Sequence, residues 1–350
     1  MVSALGLIMM GLGFAAPFLS KGFAGRAELA AVVPAFGALI LASALASRWP
    51  GPGIWFVRLI LFGGAAALTG YLIQLEKEAS TGLRVQTRNF YGVLEIRDDP
   101  LTQEHAKRTL LHGTIDHGAQ LLDPAQRYVT TSYYGERTGV GRALKALQAK
   151  GPVRYGMIGL GTGVLANYGR AGDFLRVYEI NPLVERLAQS QFTFFTHTPA
   201  EKRILMGDAR LVLERQLMEG PQNFDLLAVD AFSSDAIPVH LLTREAVELY
   251  FKHLKPDGVL ALHISNRYLD LQPVCERNAA AFGKQAMAVE DEGDQGSYFS
   301  ASTWVLLTSN AEFFKEAAFK DAYMYPPKTR KGFRGWTDDY SNLFRIISFR

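Results

Sequence analysis

The stretch "MIGLGTGVLA", residues 157–166, joins an apolar run to a segment typical of a helix and places glycines at 159, 161 and 163. A glycine turn after a strand lets the backbone come close to a ligand, with free N–H groups where a helix begins. The dinucleotide fingerprint G-x-G-x-x-G is not met, since Val164 stands where its third glycine is due. The pattern predicts a nucleotide-binding turn of another kind, and a plain tight turn is the alternative.

Strand and helix patterns alternate after this turn. Strands are predicted at 153–158, 175–180, 203–206, 224–230 and 259–264, and helices at 163–169, 182–195, 209–218 and 243–254. Such alternation is typical of a parallel, doubly wound α/β sheet of the Rossmann-like type. Two further extended segments, 285–290 and 303–308, predict an antiparallel pair at its edge.

The chain divides into four parts. Residues 1–80 contain apolar runs at 4–19, 29–46 and 54–75, near the length that crosses a bilayer, roughly 20 residues, and predict two or three transmembrane helices. Residues 83–135 mix β-branched and aromatic residues with turn residues and predict a small β-rich region of hairpins. A Rossmann-like nucleoside-binding domain is predicted over 136–310, and residues 311–350 form a C-terminal tail.

The distribution of Lys and Arg around the apolar runs favours a multi-pass membrane protein whose C-terminal portion is cytoplasmic. A signal peptide and buried soluble helices are the competing interpretations of these runs. The formal net charge of +3 is too small to favour a nucleic-acid partner. The single cysteine, Cys275, excludes an intramolecular disulfide and a CxxC metal site, and no His or Cys cluster predicts a metal.

Ligands of doubly wound sheets bind at the carboxyl ends of the strands, and acidic residues stand at three of these ends. Glu179 ends the second strand, about 20 residues after the first glycine, where a carboxylate can accept both ribose hydroxyls of a nucleoside. Asp208 follows the third strand, where it can accept a hydrogen bond from an adenine amino group, and Ala209 leaves room for the base. A solvated acid at Glu179 and a helix cap at Asp208 are the alternatives.

Asp230 follows the apolar strand 224–229, and Ser233, Ser234 and Asp235 lie just beyond it. Two carboxylates and two hydroxyls at this point suit a cationic amine, because one acid can orient the amine and accept its proton as it attacks. A proton must be removed, since the reference pKa of an amine lies about three units above neutrality. A loop of local Asp and Ser turns is the alternative.

The segments "IGLGTG", "YEINP", "GDAR" and "VDAFSSDAIP", in this order, resemble the spermidine synthase family of aminopropyltransferases, in particular its membrane-attached branch. The G-x-G-x-G form of the turn is similar to that of S-adenosylmethionine-binding Rossmann-like domains. The likeness extends forward through "LLHGTIDHGAQ" and "TSYYGE" and covers roughly residues 85–310.

The resemblance implies three groups of site residues. The catalytic residue, which would accept the proton of the attacking amine, is Asp230. The positions that would bind the donor nucleoside are Gly159, Gly161, Thr162, Glu179, Ile180, Asp208 and Ala209. The positions that would bind the acceptor are Asp235, Ser233, Tyr133, Tyr134 and Gln120.

The sequence departs from the family's pattern in the glycine turn. Thr162 stands where spermidine synthases usually carry an aspartate that binds the aminopropyl ammonium of decarboxylated S-adenosylmethionine. Its absence removes an ammonium partner and also a repulsion against the carboxylate of intact S-adenosylmethionine. The acidic pair Asp230 and Asp235 is also more widely spaced than in the family, and the family's Tyr-His-Glu stretch is "YYGE" here.

The tail contributes one further candidate site, in the segment "GWTDDYSNLF". An aromatic wall and two carboxylates could close over a cationic substrate there, and the residues concerned are Trp336, Asp338, Asp339 and Tyr340. A capped terminal helix is the alternative.

We therefore expect a membrane-tethered transferase that moves an aminopropyl group from decarboxylated S-adenosylmethionine to a diamine or polyamine and releases methylthioadenosine, without a metal. One alternative is a methyltransferase, or another enzyme that uses intact S-adenosylmethionine. A second is a membrane-bound nucleoside sensor without turnover. The expected partners are a small amine and the membrane, with self-association left open.

Overall fold

The computed structural model describes residues 54–99, 106–113, 115–231, 238–294 and 298–348. The chain separates into two compact units, Met1–Leu83 and Arg84–Arg350. In the first unit the described part is a 27-residue helix, α1, Ile54–Ser80. Among the residues that are described, no helix is both long enough and apolar enough to cross a bilayer, so the predicted span at 54–75 is not supported. The apolar runs at 4–19 and 29–46 lie outside the described residues.

The elements after α1 are, in chain order, β1 (Leu83–Asn89), β2 (Gly92–Asp99), β3 (Lys107–His112), β4 (Ile115–Leu121), α2 (Gly139–Gln148), β5 (Arg154–Ile158), β6 (Phe174–Glu179), α3 (Pro182–Gln191), α4 (Phe194–His197), β7 (Glu201–Met206), α5 (Ala209–Glu219), β8 (Phe224–Val229), α6 (Arg244–His253), β9 (Leu254–His263), α7 (Gln272–Ala281), β10 (Gln285–Asp291), β11 (Ser302–Thr308) and β12 (Tyr323–Tyr325).

The large sheet has the strand order β12-β10-β11-β9-β8-β5-β6-β7. The five strands from β9 to β7 are parallel, whereas β9–β11, β11–β10 and β10–β12 pair antiparallel. The predicted doubly wound α/β sheet is therefore confirmed. The chain leaves β5 toward β6 on one side and later returns to β8 on the other, which makes the carboxyl ends of β5 and β8 the topological switch point.

The apolar run of β8 is explained by burial on both faces of the sheet. Leu226 and Ala228 belong to one core cluster, which includes residues of α2, whereas Leu227 and Val229 belong to another, which includes residues of α6 and α7. Alternate side chains of a strand point to opposite faces, so a strand covered on both faces has no polar side.

A second sheet, in the order β1-β2-β3-β4, occupies most of the predicted β-rich region. Its strands β2, β3 and β4 pair antiparallel. Strand β4 reaches the glycine turn of the large sheet, because the Thr162 N–H donates to the His117 carbonyl at 3.2 Å. The small sheet therefore closes one side of the switch point.

Several predicted element boundaries need correction. The helix predicted at 163–169 is a short 3-10 helix, Val164–Tyr168, between Gly163 and Gly169, and not an α-helix. The segment predicted as one helix at 182–195 breaks at Phe192, whose backbone is extended. The strands at 285–291 and 302–308 do pair antiparallel as predicted, but β12 covers β10, so this pair is not the sheet edge.

Candidate active site

The glycine turn after β5 is shaped by close backbone approaches. Gly159 has φ of +90°, and a Cβ there would lie 2.3 Å from the Asp230 carbonyl oxygen. Gly161 has φ of +54°, and a Cβ there would lie 2.6 Å from the His117 carbonyl oxygen. Both positions therefore require glycine, because the left-handed backbone and the missing space each exclude a side chain. No α-helix begins after the turn, so the anion-binding helix end expected there is not formed.

Glu179 ends β6 beside this turn and is 6% exposed. Its Oε2 accepts from the Leu160 N–H and its Oε1 from the Asn181 N–H, each at 2.8 Å. Burial raises the pKa of Glu179, and these backbone N–H groups oppose the rise. The carboxylate lines the cavity with its orientation fixed by main chain on both sides, as a ribose-binding group requires.

Asp208 caps α5, as the alternative interpretation held. Its Oδ1 accepts from the Leu211 N–H at 3.1 Å, and its Oδ2 lies 2.9 Å from His240 Nε2. Asp208 and Ala209 also line the same cavity as Glu179. Capping of α5 and contact with a bound base are therefore compatible in this arrangement.

Asp230 follows β8 on the other side of the turn, and its side chain is 4% exposed. The Tyr134 hydroxyl donates to its Oδ2, and His263 Nδ1 lies 2.7 Å from its Oδ1. Burial alone would raise the pKa of Asp230, but its interaction with His263 and the hydrogen bond of Tyr134 together hold it below its ordinary value. The structure thus buries an ionised carboxylate at the cavity.

His263, which the sequence analysis did not select, is the last residue of β9. Its ring stacks on Tyr133 at a centroid distance of 4.5 Å and on Trp304 at 4.8 Å. Its Nε2 lies 2.9 Å from the Ser265 hydroxyl. The carboxyl-end rule that selected Asp230 on β8 would have found His263 on the neighbouring strand.

His117, on β4, was also missed. It lines the cavity, and its buried Nε2 has no hydrogen-bond partner in the structure. Burial lowers the pKa of His117 to about 4, although the nearby Asp230 charge acts in the opposite direction. At neutral pH the side chain is therefore an uncharged imidazole that faces the ligand space.

The predicted acceptor residues are placed in different ways. Tyr134 contacts Asp230, and Tyr133 lies against His263. Gln120 instead ties β4 to the segment before α4, since its Nε2 donates to the Arg127 carbonyl at 3.0 Å and its Oε1 accepts from the Thr193 N–H at 3.1 Å. Ser233, Ser234 and Asp235 lie outside the described residues.

Two predicted donor-binding residues lie differently from the others. Thr162 is 1% exposed and packs beneath Gly118 of β4, where a Cβ would lie 2.3 Å from the threonine hydroxyl. Ile180 lines the cavity and is 43% exposed. Its side chain therefore offers an apolar surface beside Glu179.

The tail segment does not form the predicted wall. Asp338 forms a two-pronged ion pair with Arg210, at 2.6 and 2.5 Å, and accepts from the Thr243 hydroxyl at 2.8 Å. Trp336 is 1% exposed and belongs to the core. Neither residue lines the cavity described above, because core packing and the ion pair hold this segment against α5 and α6.

The cavity has about 910 Å³ of empty volume, part of it open to solvent. Glu179 and Asp208 lie at one part of it and Asp230 and His117 at another. Among the residues that the structure describes, no three His, Cys, Asp or Glu side chains are grouped so that they could hold a metal ion.

The fold and the cavity define an α/β protein with a doubly wound sheet of the Rossmann-like type and a ligand-sized cavity at the carboxyl ends of its strands. The structure superposes on the crystal structure of a probable spermidine synthase from Corynebacterium glutamicum with a TM-score of 0.55 and 17% identity, over 75% of this chain and 98% of that one. No protein-family model matches the chain.

Sequence comparison is more specific. A segment of 114 residues, 31% of the chain, is 33% identical to polyamine aminopropyltransferase from Vibrio vulnificus and covers 36% of that protein. A segment of 110 residues is 32% identical to an N-terminal histidine N-methyltransferase from Emericella nidulans and covers 18% of it. The matches therefore span about a third or less of these relatives. The predicted resemblance to the spermidine synthase family is confirmed in sequence and in fold.

Proposed function

We propose that this chain is a spermidine synthase-like aminopropyltransferase, which transfers an aminopropyl group from decarboxylated S-adenosylmethionine to a small amine. The observation that carries the proposal is Asp230, a buried carboxylate held in its ionised form at the end of β8, where it faces the cavity. An ionised acid at this position can bind an ammonium group and accept a proton from it. The similarity to a polyamine aminopropyltransferase supports the same reaction.

The donor nucleoside would lie along the glycine turn, with its ribose on Glu179 and its adenine near Asp208 and Ala209. Both parts of this surface line one cavity with Asp230. The sulfonium carbon of the donor would then face the amine held at Asp230, so that the two reacting groups are brought together by binding.

In the reaction, the amine nitrogen attacks the methylene carbon next to the sulfonium. A carbon–nitrogen bond forms, the carbon–sulfur bond breaks, and its electron pair stays with sulfur as methylthioadenosine leaves. Asp230 accepts the proton that the nitrogen loses. Burial raises the pKa of Tyr134 well above its ordinary value, so this hydroxyl stays a neutral donor to the carboxylate throughout.

Methyl transfer from intact S-adenosylmethionine is the second candidate function. Thr162 favours it, because the turn has no carboxylate at this point to repel the carboxylate of that donor. The similarity to a histidine N-methyltransferase over 110 residues supports the same alternative. In this reaction the same Asp230 would accept a proton from a methyl acceptor.

Product identification tests the proposal. The purified chain is incubated with each donor separately, with and without a panel of diamines and polyamines, and the nucleoside product is identified by mass spectrometry. We expect methylthioadenosine from the decarboxylated donor when an amine is present. Adenosylhomocysteine from the intact donor would replace this proposal with the methyltransferase, and no product from either donor would leave a nucleoside sensor.

Attachment to a membrane through the apolar runs at 4–19 and 29–46, with the catalytic domain on the cytoplasmic side, is a further part of the proposal. It is supported by the length and composition of these runs. Fractionation of cells that express the full chain tests it. We expect the chain in the membrane fraction, resistant to carbonate extraction, and recovery in the soluble fraction would contradict the attachment.

A further inference from the structure

His263 is a buried residue beside Asp230 to which the mechanism above gives no role. The inference about it rests on the function proposed above. We propose that His263 is the positioning residue of the reaction: its Nδ1–H holds the Asp230 carboxylate in place, and Ser265 supports the tautomer that makes this possible. No motif in the sequence analysis pointed to either residue.

The contact between His263 and Asp230 is short and protected from water. Nδ1 lies 2.7 Å from Oδ1, and the two side chains are 5% and 4% exposed. A hydrogen bond to a carboxylate in such surroundings is stronger than one at the surface, because water does not compete for it. This bond therefore restricts rotation of the Asp230 carboxylate.

The contacts of both ring nitrogens bear on the tautomer, and the ionised Asp230 carboxylate, which can only accept, requires the proton on Nδ1. The Thr303 N–H donates to the Ser265 hydroxyl oxygen at 2.8 Å. His263 Nε2 lies 2.9 Å from the same oxygen, so Nε2 accepts when the hydroxyl proton is directed at it. A neutral imidazole that accepts at Nε2 carries its proton on Nδ1. That proton is the one directed at Asp230, so β11, Ser265, His263 and Asp230 form one chain of donors and acceptors.

The plane of the ring is fixed by stacking. His263 lies between Tyr133, at an interplanar angle of 17°, and Trp304, at 25°. Trp304 is itself held by its Nε1–H, which donates to the Tyr133 carbonyl at 3.1 Å. The imidazole thus cannot tilt away from Asp230 without losing its stacking on these two rings.

The two hydrogen bonds determine which lone pairs of the Asp230 carboxylate remain for the substrate amine. His263 occupies one lone pair of Asp230 Oδ1 and Tyr134 occupies one of Oδ2. A carboxylate oxygen can accept a second hydrogen bond, and Asp230 lines the cavity. The remaining lone pairs are therefore available to an amine there, and their direction is set by His263 and Tyr134.

The charged and titratable groups that face Asp230 come from three elements. They are His263 from β9, Tyr133 and Tyr134 from the segment before α2, and His117 from β4. Burial raises the pKa of both tyrosines well above the ordinary value and lowers the pKa of His117 to about 4. These three groups therefore stay uncharged between about pH 5 and pH 9.

The first test needs no substrate. In the free protein labelled with ¹⁵N in its histidine rings, we expect NMR to show His263 with its proton on Nδ1. A ¹³C titration of the Asp230 carboxyl should give a higher pKa in His263→Leu than in the wild type, because a donor to the ionised form is lost. A proton on Nε2 alone, or an unchanged carboxyl pKa, would overturn the proposal even if the reaction proved to be methyl transfer.

The second test is kinetic and uses three variants. We expect His263→Leu to lower kcat about 10- to 100-fold and to move the acid limb of its pH profile upward. His263→Asn keeps an N–H near the Nδ1 position and should recover most of the activity, while Ser265→Ala should fall between the two. The control is His253→Asn, since His253 is a buried histidine bonded only to backbone groups of Gln222 and Leu213 in the structure.

The control separates positioning from loss of structure. We expect His253→Asn to lower stability without moving the acid limb. Equal acid limbs in the wild type and all three His263 and Ser265 variants would contradict the proposal. If the wild type forms no product from either donor, the proposed function fails while the NMR titration still decides the role of His263.

Discussion

Two buried carboxylates at the cavity are held in opposite ways: Glu179 is the last residue of β6 and Asp230 directly follows β8, and these two strands flank β5. Backbone N–H groups of Leu160 and Asn181 bind Glu179. Side chains of His263 and Tyr134 bind Asp230. Burial raises the pKa of Glu179, whereas His263 and Tyr134 overcome the effect of burial and lower the pKa of Asp230.

The two carboxylates differ in the kind of group that holds them, backbone for Glu179 and side chain for Asp230. The partners of Glu179 are backbone groups of the glycine turn and of the residues directly after β6, so they do not depend on particular side chains. The partners of Asp230 are side chains from β9 and from the segment before α2, so they depend on the identity of His263 and Tyr134. In the function proposed above, the Glu179 side of the cavity would bind the nucleoside and the Asp230 side would determine the reaction.

The largest expected effect is at Asp230. Asp230→Asn keeps the shape but removes the proton acceptor, so kcat should fall about 10³-fold, within the range for loss of a general base. Donor binding, measured by calorimetry, should change less than about threefold. Asp225→Asn is the matched control, because Asp225 lies at the opposite end of β8 and binds Lys255 and the Arg154 N–H. Equal losses of turnover in both variants would remove Asp230 from the catalytic role.

The second-largest expected effect is on the free energy of unfolding at acid pH, and it comes from His117 near Asp230. The pKa of His117 is lowered from 6.5 to about 4 by burial, so below pH 6.5 the unfolded chain takes up a proton before the folded one does. The free energy of unfolding should therefore fall as the pH drops from 6.5 to 4, by about 3 kcal/mol from this group.

Urea unfolding of wild type and His117→Gln at several pH values measures this effect. His117→Gln should lack the part of the fall in the free energy of unfolding that comes from His117. The difference in free energy between the two proteins at pH 8 measures the effect of the substitution itself and is subtracted. Parallel stability curves for the two proteins from pH 8 to pH 4 would show that His117 does not titrate as described.

The third effect is at Glu179. Glu179→Gln should weaken binding of the donor nucleoside about 10- to 100-fold, because a charge-assisted pair of bonds to the ribose is lost. The change in kcat at saturating donor should be smaller. Glu201→Gln, at the exposed start of β7, is the control for loss of one negative charge. A fall in kcat with unchanged donor affinity would reverse the assignment of the two carboxylates.

The raised pKa of Glu179 should also make donor affinity and kcat depend on pH in different ways. A carboxylate with a raised pKa is protonated at a higher pH than usual, so donor binding should weaken on acidification while Asp230 is still ionised. Donor affinity measured across the acid range should therefore fall before kcat does. A kcat that falls first would contradict the two assigned roles.

The smallest expected effect lies outside both sides of the cavity. Asp338→Asn weakens the exposed ion pair with Arg210 and should lower stability by less than about 1 kcal/mol. Turnover should match the wild type. A large loss of turnover would restore the tail as part of the substrate site.

The sequence predicted the large sheet and the two carboxylates because both depend on local pattern. Glu179 and Asp230 directly follow apolar strands, and parallel strands bring their carboxyl ends to one edge. His263 was missed although it ends β9, because no Asp or Ser cluster drew attention to that strand. His117 was missed because its position depends on how the small sheet packs on the glycine turn, which spacing along the chain does not encode. The short 3-10 turn after Gly163 likewise reflects tertiary packing rather than local propensity.

The most direct measurement is a competition between the two donors. The wild-type chain receives equal concentrations of decarboxylated and intact S-adenosylmethionine with a diamine, and mass spectrometry quantifies both nucleoside products and the modified amine. Our account predicts mainly methylthioadenosine, in equal amount to the aminopropylated amine, and neither product from Asp230→Asn. Mainly adenosylhomocysteine with a methylated amine would contradict it.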